Sequence, residues 1–186
     1  MYAKFLSAVA IAALTACAGP ANRLDMSPVQ SNLSLRAGVS TIMLRDVSLP
    51  TYAAADEIAR EIAPGVIGTD ADILWADEPE RAVTLAMTRH LDGILNATVG
   101  PDPWPFVGLP DVAVEVRVAQ MLAGADGLFR LTGQYYIGGD GIDYPNRSHR
   151  FDITRTLVGE GTGAVALAQA EAILELSEDI ARKLAR

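Results

Sequence analysis

Acid–base, metal and nucleotide chemistry draw on imidazoles, thiols, paired carboxylates and phosphate-cradling glycines, and this chain holds few of them. Its only imidazoles are His90 and His149. They fall on different predicted elements, whereas zinc needs three or four ligands fixed around it. No paired-ligand spacing points to a metal. His90 reads as a partly buried helix residue and His149 as a strand-edge residue. There is no Gly-x-Ser-x-Gly elbow, so a serine–histidine partnership has no frame. Acids are densest over Asp70, Asp72, Asp77, Glu78 and Glu80. A carboxylate pair there could transfer protons, but the run reads better as a solvated rim holding a helix N-terminus. Gly159, Gly161 and Ala164 fit the loose dinucleotide pattern between a strand and a helix. No strand follows to complete a βαβ unit and no ribose-binding acid sits on one, so this is expected to be a turn. No catalytic residue, cofactor or metal is expected, and the chain is read as a non-enzyme.

The remaining reactive group is Cys17, the only cysteine. It ends the stretch Leu14-Thr15-Ala16-Cys17, after one charge (Lys4) and an apolar run, Phe5–Ala13. A basic lead, an apolar segment and small residues before a cut form a secretory signal. The run is short of the roughly 20 residues that span a bilayer. The box resembles the lipobox of bacterial lipoproteins, whose cysteine is acylated and becomes the first residue. Residues 1–16 are therefore expected to be the signal peptide, and Cys17 the lipidation site. Ala18 rather than aspartate follows, which points to the outer membrane, with the inner membrane as the alternative.

Composition fits an exported domain held by that anchor. Half the residues are apolar and 6% aromatic, so the core is built from Ala, Val, Leu and Ile. The formal net charge is −8, and loss of Lys4 makes it more negative. Such a domain repels phosphate backbones, which excludes nucleic acid as a partner. It gains nothing from anionic headgroups, so attachment falls to the acyl chains.

The elements follow from periodicity. Residues 17–38 are mixed and read as a lipidated tether, with a short strand near Leu33–Leu35. Residues 39–186 form the domain. Val39–Val47 reads as a strand. Thr51–Ile62 reads as a helix, with Ala55, Ile58, Ala59 and Ile62 at helical spacing and Pro64-Gly65 as its stop. Ile73–Ala76 is a short strand, and Asp77-Glu78-Pro79 opens a helix with Val83, Met87, Leu91 and Ile94 on one face. Val112, Val114, Val116 and Val118 alternate with Ala113, Glu115, Arg117 and Ala119. Phe129, Leu131, Gly133, Tyr135 and Ile137 share a face of the next strand, across the turn Gly124–Gly127. His149–Val158 is a further strand, and Thr162–Arg186 the longest helix. The expected fold is α+β: a mainly antiparallel sheet covered on one side by about three helices.

Between these elements lies a loop with four prolines, Gly100–Pro110, carrying Trp104 and Phe106. Prolines lower the entropy cost of presenting aromatics. The loop either offers the pair to a partner or folds both rings back as a cap on the sheet. Tyr52 and Trp75 are further contact candidates, although core positions suit them better.

Residues from about Val39 onward resemble the PqiC family, the auxiliary lipoproteins of MCE-type ABC transport systems. Leu49-Pro50-Thr51-Tyr52 after a strand looks like the family's Leu-Pro-x-Tyr step. Leu74-Trp75-Ala76-Asp77-Glu78-Pro79 looks like its Arg-Trp-Ala-Glu-Pro segment, with Leu74 in place of arginine and Asp77 as an extra acid. The Val112–Ile137 hairpin, the terminal Ala/Leu-rich helix and the lipobox agree in position. The resemblance implies a periplasmic, lipid-anchored subunit that docks on an MCE-domain partner and its transporter components, with ring-like homo-oligomers, in support of outer-membrane integrity. The alternative is a direct carrier of lipid or a small ligand, with a cavity lined by the Val112–Val118 face.

Overall fold

The computed structural model describes residues 21–26 and 28–185. The expected signal peptide and Cys17 lie outside the described residues. Among these, eight strands form one sheet: β1 (Asn22–Leu24), β2 (Thr41–Leu44), β3 (Glu57–Ala63), β4 (Val66–Trp75), β5 (Thr98–Pro101), β6 (Val112–Ala123), β7 (Leu128–Gly139) and β8 (Arg147–Thr156). The helices are α1 (Thr51–Ala54), α2 (Pro79–Ile94) and α3 (Gly161–Leu184). The fold is α+β, as its periodicity predicts.

The strands β6, β7 and β8 form an antiparallel meander. On the other side of β6, β2 pairs in parallel with its first half, and β3 meets its far end at Ala123. The sheet continues outward through β4 to β1 at that end, and through β5 at the other. Val112, Val114 and Val116 are fully buried, and Phe129, Leu131, Tyr135 and Ile137 face the same way. Beneath them run α2 and α3, whose buried stripes include Met87 and Leu91, and Ile173 and Leu176. The many buried alanines of α3 allow close helix packing. A register shift between Val118 and Gln120 inserts one extra residue, which turns Met121 and Ala123 inward.

One element differs from its periodicity. Thr51–Ile62 is helical only over Thr51–Ala54, and Glu57–Ala63 is a strand. Ile58 is buried but Ile62 is largely exposed, so the spacing that suggested a helix face joins residues in different environments. Pro64-Gly65, read as a helix stop, is the turn of a hairpin with Gly65 at φ +73°. A Pro-Gly pair serves both purposes, and here strand pairing overrides the helical preference of alanine.

The stretch 21–38, expected as a tether, lies along the domain. β1 pairs in parallel with the end of β4, Leu35 bridges Leu95 and Ala37 bridges Ala185. Leu24, Met26, Leu33 and Leu35 pack against the core. The expected strand at Leu33–Leu35 is reduced to that one bridge.

Two polar contacts lock the core. Thr84, buried on α2, donates to the Glu80 carbonyl at 2.8 Å and accepts the Val47 N–H at 2.9 Å. Tyr135 donates its hydroxyl to Asp179 on α3 at 2.7 Å, and burial holds its phenol protonated far above the ordinary range.

Candidate docking surface

β5 ends at Pro101, opposite Leu44 of β2, and the Asp102 N–H continues the ladder to the Leu44 carbonyl at 3.0 Å. The chain then returns through Pro103 and Pro105 to the start of β6. Asp111 fastens that return: its carboxylate accepts the Ser40 and Thr41 N–H groups at 2.7 and 3.1 Å, and its own N–H donates to the Thr41 hydroxyl at 2.8 Å. Both ends of the loop are therefore tied to β2.

Of the loop's two aromatics, Trp104 lies inward over Gly100, where a Cβ would stand 3.0 Å from Cζ3 of the indole. A side chain at position 100 would push the ring off. Phe106 meets Trp104 edge-to-face, centroids 4.9 Å apart, and remains 52% exposed. Val107 is fully exposed and Leu109 is 70% exposed. One ring therefore folds back over the sheet, and it braces the other outward. The connection from β7 to β8 adds to this tip. The Gly141 N–H donates to the Pro110 carbonyl at 2.7 Å, and Asp140 N–H to the Asp111 carbonyl at 3.0 Å. Ile142, 46% exposed, follows directly. Its signal was slight, a lone aliphatic residue in a glycine-rich turn.

The other two contact candidates lie elsewhere. Trp75 is buried in the core, its N–H donating to the Asp56 carbonyl at 2.7 Å. Tyr52 is half-buried, and its hydroxyl accepts the Met121 N–H at 3.3 Å. Neither joins the Trp104–Phe106 pair. Cys17 lies outside the described residues.

Of the acids, Asp77 pairs with Arg81, and Glu80 accepts the Leu49 N–H at 3.0 Å. Asp70 and Asp72 lie on β4, before the strand's end at Trp75. The glycine loop turns the chain into α3, with Gly159 and Gly161 at positive φ. His149 stacks on Tyr135 at 5.0 Å. Among the described residues no group of three or more His, Cys, Asp or Glu side chains gathers as a metal site would require. No described helix is long and apolar enough to cross a membrane.

His90 does more than fill a helix face. Its Nε2 lies 3.1 Å from the Val29 carbonyl and its Nδ1 3.3 Å from Ser177 Oγ on α3. A carbonyl only accepts, so Nε2 carries the proton in the neutral ring. The ring joins the N-terminal stretch to both long helices beside a cavity of about 420 Å³. Burial, helped by Arg89, lowers its pKa against the opposing pull of the Val29 carbonyl and Glu178. The unfolded chain then binds more protons than the fold in the window from the ordinary histidine value down to the lowered one. Stability should rise with pH across that window. Melting curves at successive pH values should show this slope in the native protein and lose it in His90→Gln; an unchanged slope would assign it elsewhere.

In comparisons with known proteins, residues 23–181 match the family model described as an ABC-type transport auxiliary lipoprotein component. No curated protein matches. The crystal structure of an uncharacterized protein superposes with a TM-score of 0.70 at 17% identity, covering 88% of this chain and 99% of its own. The crystal structure of XCC0632 from Xanthomonas campestris, of the DUF330 family, superposes with a TM-score of 0.60 at 16% identity, covering 87% of this chain and 90% of its own. These likenesses show a shared fold. The family match, over most of the chain's length, shows that it belongs to the family of ABC-type transport auxiliary lipoprotein components.

Proposed function

We propose that this chain is a non-enzymatic periplasmic lipoprotein subunit of an MCE-type ABC intermembrane lipid transport system. It acts by docking on an MCE-domain partner and supports outer-membrane integrity. Cys17 carries the anchor, on the periplasmic face of the outer membrane. The observation that carries the docking role is the tip of Phe106, Val107, Leu109 and Ile142. Isolated exposed apolar residues are ordinary, but several gathered on a fixed surface mark an interaction site. The loop is braced by Asp111 and by Trp104 before any partner arrives, so little entropy is lost on binding.

A carrier role finds less support. It needs a cavity on the valine face of β6, yet Val112, Val114 and Val116 have no exposed surface. A crosslinking pull-down from cells tests the proposal, with the full-length lipoprotein and a Cys17→Ala control. Recovery of an MCE-domain protein, weakened in the control, is the expected result. Recovery of bound lipid and no transporter component would favour the carrier.

A further inference from the structure

We propose that the β3–β4 hairpin is a membrane-seating element, its tip of Ile62, Val66 and Ile67 resting in the interfacial layer of the bilayer that holds the acyl anchor. This rests on the reading that Cys17 is acylated. The three side chains are 67%, 49% and 40% exposed. They lie within eight consecutive uncharged residues, Ile62–Thr69. The tip is held in shape: Glu61 accepts the Gly65 N–H at 3.0 Å, and Ile62 lies across Gly68 on the facing strand. Val158, 73% exposed, belongs to the same end, because the preceding Leu157 N–H bonds the Gly127 carbonyl in the β6–β7 turn.

The path of the chain selects the occupant. β3 runs parallel to β6 where they meet at Ala123, so the hairpin projects past the end of β6. β1 runs parallel to β4, with Asn22 opposite Ile73. The N-terminal end of β1 therefore points toward the hairpin tip. Cys17 precedes Asn22 by five residues, a reach of up to about 17 Å. Five positions before Ile73 on β4 is Gly68, beside the tip. The linker is thus long enough to bring the acyl chains level with Ile62 and Ile67 and too short to hold the domain far from the bilayer. Three aliphatic side chains facing an uncharged interface suit zwitterionic lipid, which a negative domain does not repel. The docking tip lies at the opposite end of β6, roughly 36 Å away along the strand, facing away from the membrane.

The test uses the acylated full chain in phosphatidylcholine vesicles with brominated acyl chains. Once Cys17 is acylated no other thiol remains, so a cysteine introduced by Val66→Cys takes a polarity-sensitive dye at one place. Val107→Cys is the reference position at the far end, fully exposed in the free domain, so each dye is read against its own signal without vesicles. The expected result is a blue shift and bromolipid quenching at position 66 and neither at 107. A vesicle-bound protein whose dye at 66 stays as wet as that at 107 overturns the proposal. So does a dye at 66 already shielded in detergent in a concentration-dependent way, which would mark a contact between copies. Mass spectrometry on the same preparation separates the two readings: absence of an acyl mass on Cys17 overturns the anchor, and the hairpin's seating with it.

Discussion

Gly133→Ala is expected to lower the stability of the domain by about 3 kcal/mol, at the upper end of what overpacking costs. Gly133 faces Val118, next to the register shift in β6. A Cβ there would overlap the Arg117 carbonyl oxygen, stand 2.7 Å from Phe151 Cζ and 3.0 Å from the Val118 Cα. Two of those three neighbours are backbone, so rotamer changes cannot relieve the clash. The bulge brings the backbones together at this point, and the close approach is what demands glycine. For a domain of this size each kcal/mol moves the melting temperature by roughly 2–4 °C, so a fall of roughly 6–12 °C is expected. Gly163→Ala is the matched control. It lies in α3 with nothing within 4 Å of an added Cβ. Alanine there should stabilise, by about 0.5–1 kcal/mol. Equal melting temperatures for the two variants would show that the meander flexes at the bulge and that the close approach has no energetic weight.

The same region shows what periodicity reveals and what it conceals. Strict alternation over Val112–Val118 and Phe129–Ile137 specifies a hairpin with one buried face: Val112, Val114 and Val116 are buried on one strand, and Phe129, Leu131, Tyr135 and Ile137 on the other. The extra residue at Ala119 carries no compositional mark; the bulge appears only when Gln120 is found opposite Thr132. Leu49-Pro50-Thr51-Tyr52 and Leu74–Pro79, which carried the family resemblance, are structural joints. The Leu49 N–H reaches Glu80 one residue beyond the second segment, and Trp75 packs in the core. Neither motif encodes chemistry, so each indicates kinship without a site. Residues 55–62 were ambiguous because alanine-rich spacing suits a helix while Ile58, β-branched, suits a paired strand, and only the partner β4 decides. His90 bonding to Val29, 61 positions away, and Ile142 joining the Phe106 tip are long-range events with no local signature.

Phe106→Asp combined with Val107→Asp should abolish capture of the proposed MCE-domain partner while leaving the fold intact. An apolar residue central to an interface contributes about 2 kcal/mol or more, close to thirtyfold in affinity. Burying an uncompensated carboxylate in place of a ring adds a desolvation cost beyond simple truncation. The stability cost should be small. Val107 touches solvent on all sides, and Phe106 is half-exposed, its edge contact on Trp104 worth about 0.5–1.5 kcal/mol. The expected result is therefore a loss of partner in the pull-down with a melting temperature only slightly lowered. The contrast with Gly133→Ala gives the measurement its force: that variant loses stability at a close backbone approach within the sheet, this one loses binding at a solvent-facing tip. If the double variant recovers the partner as well as the native chain does, the tip is not the docking surface, and the polar outer face of the sheet around Arg117, Gln134 and Arg150 becomes the next surface to test. That face has what the tip lacks, a row of hydrogen-bonding groups in register across β6, β7 and β8. It would recognise a partner through polar contacts, and binding through it should weaken with salt, whereas binding through the apolar tip should not.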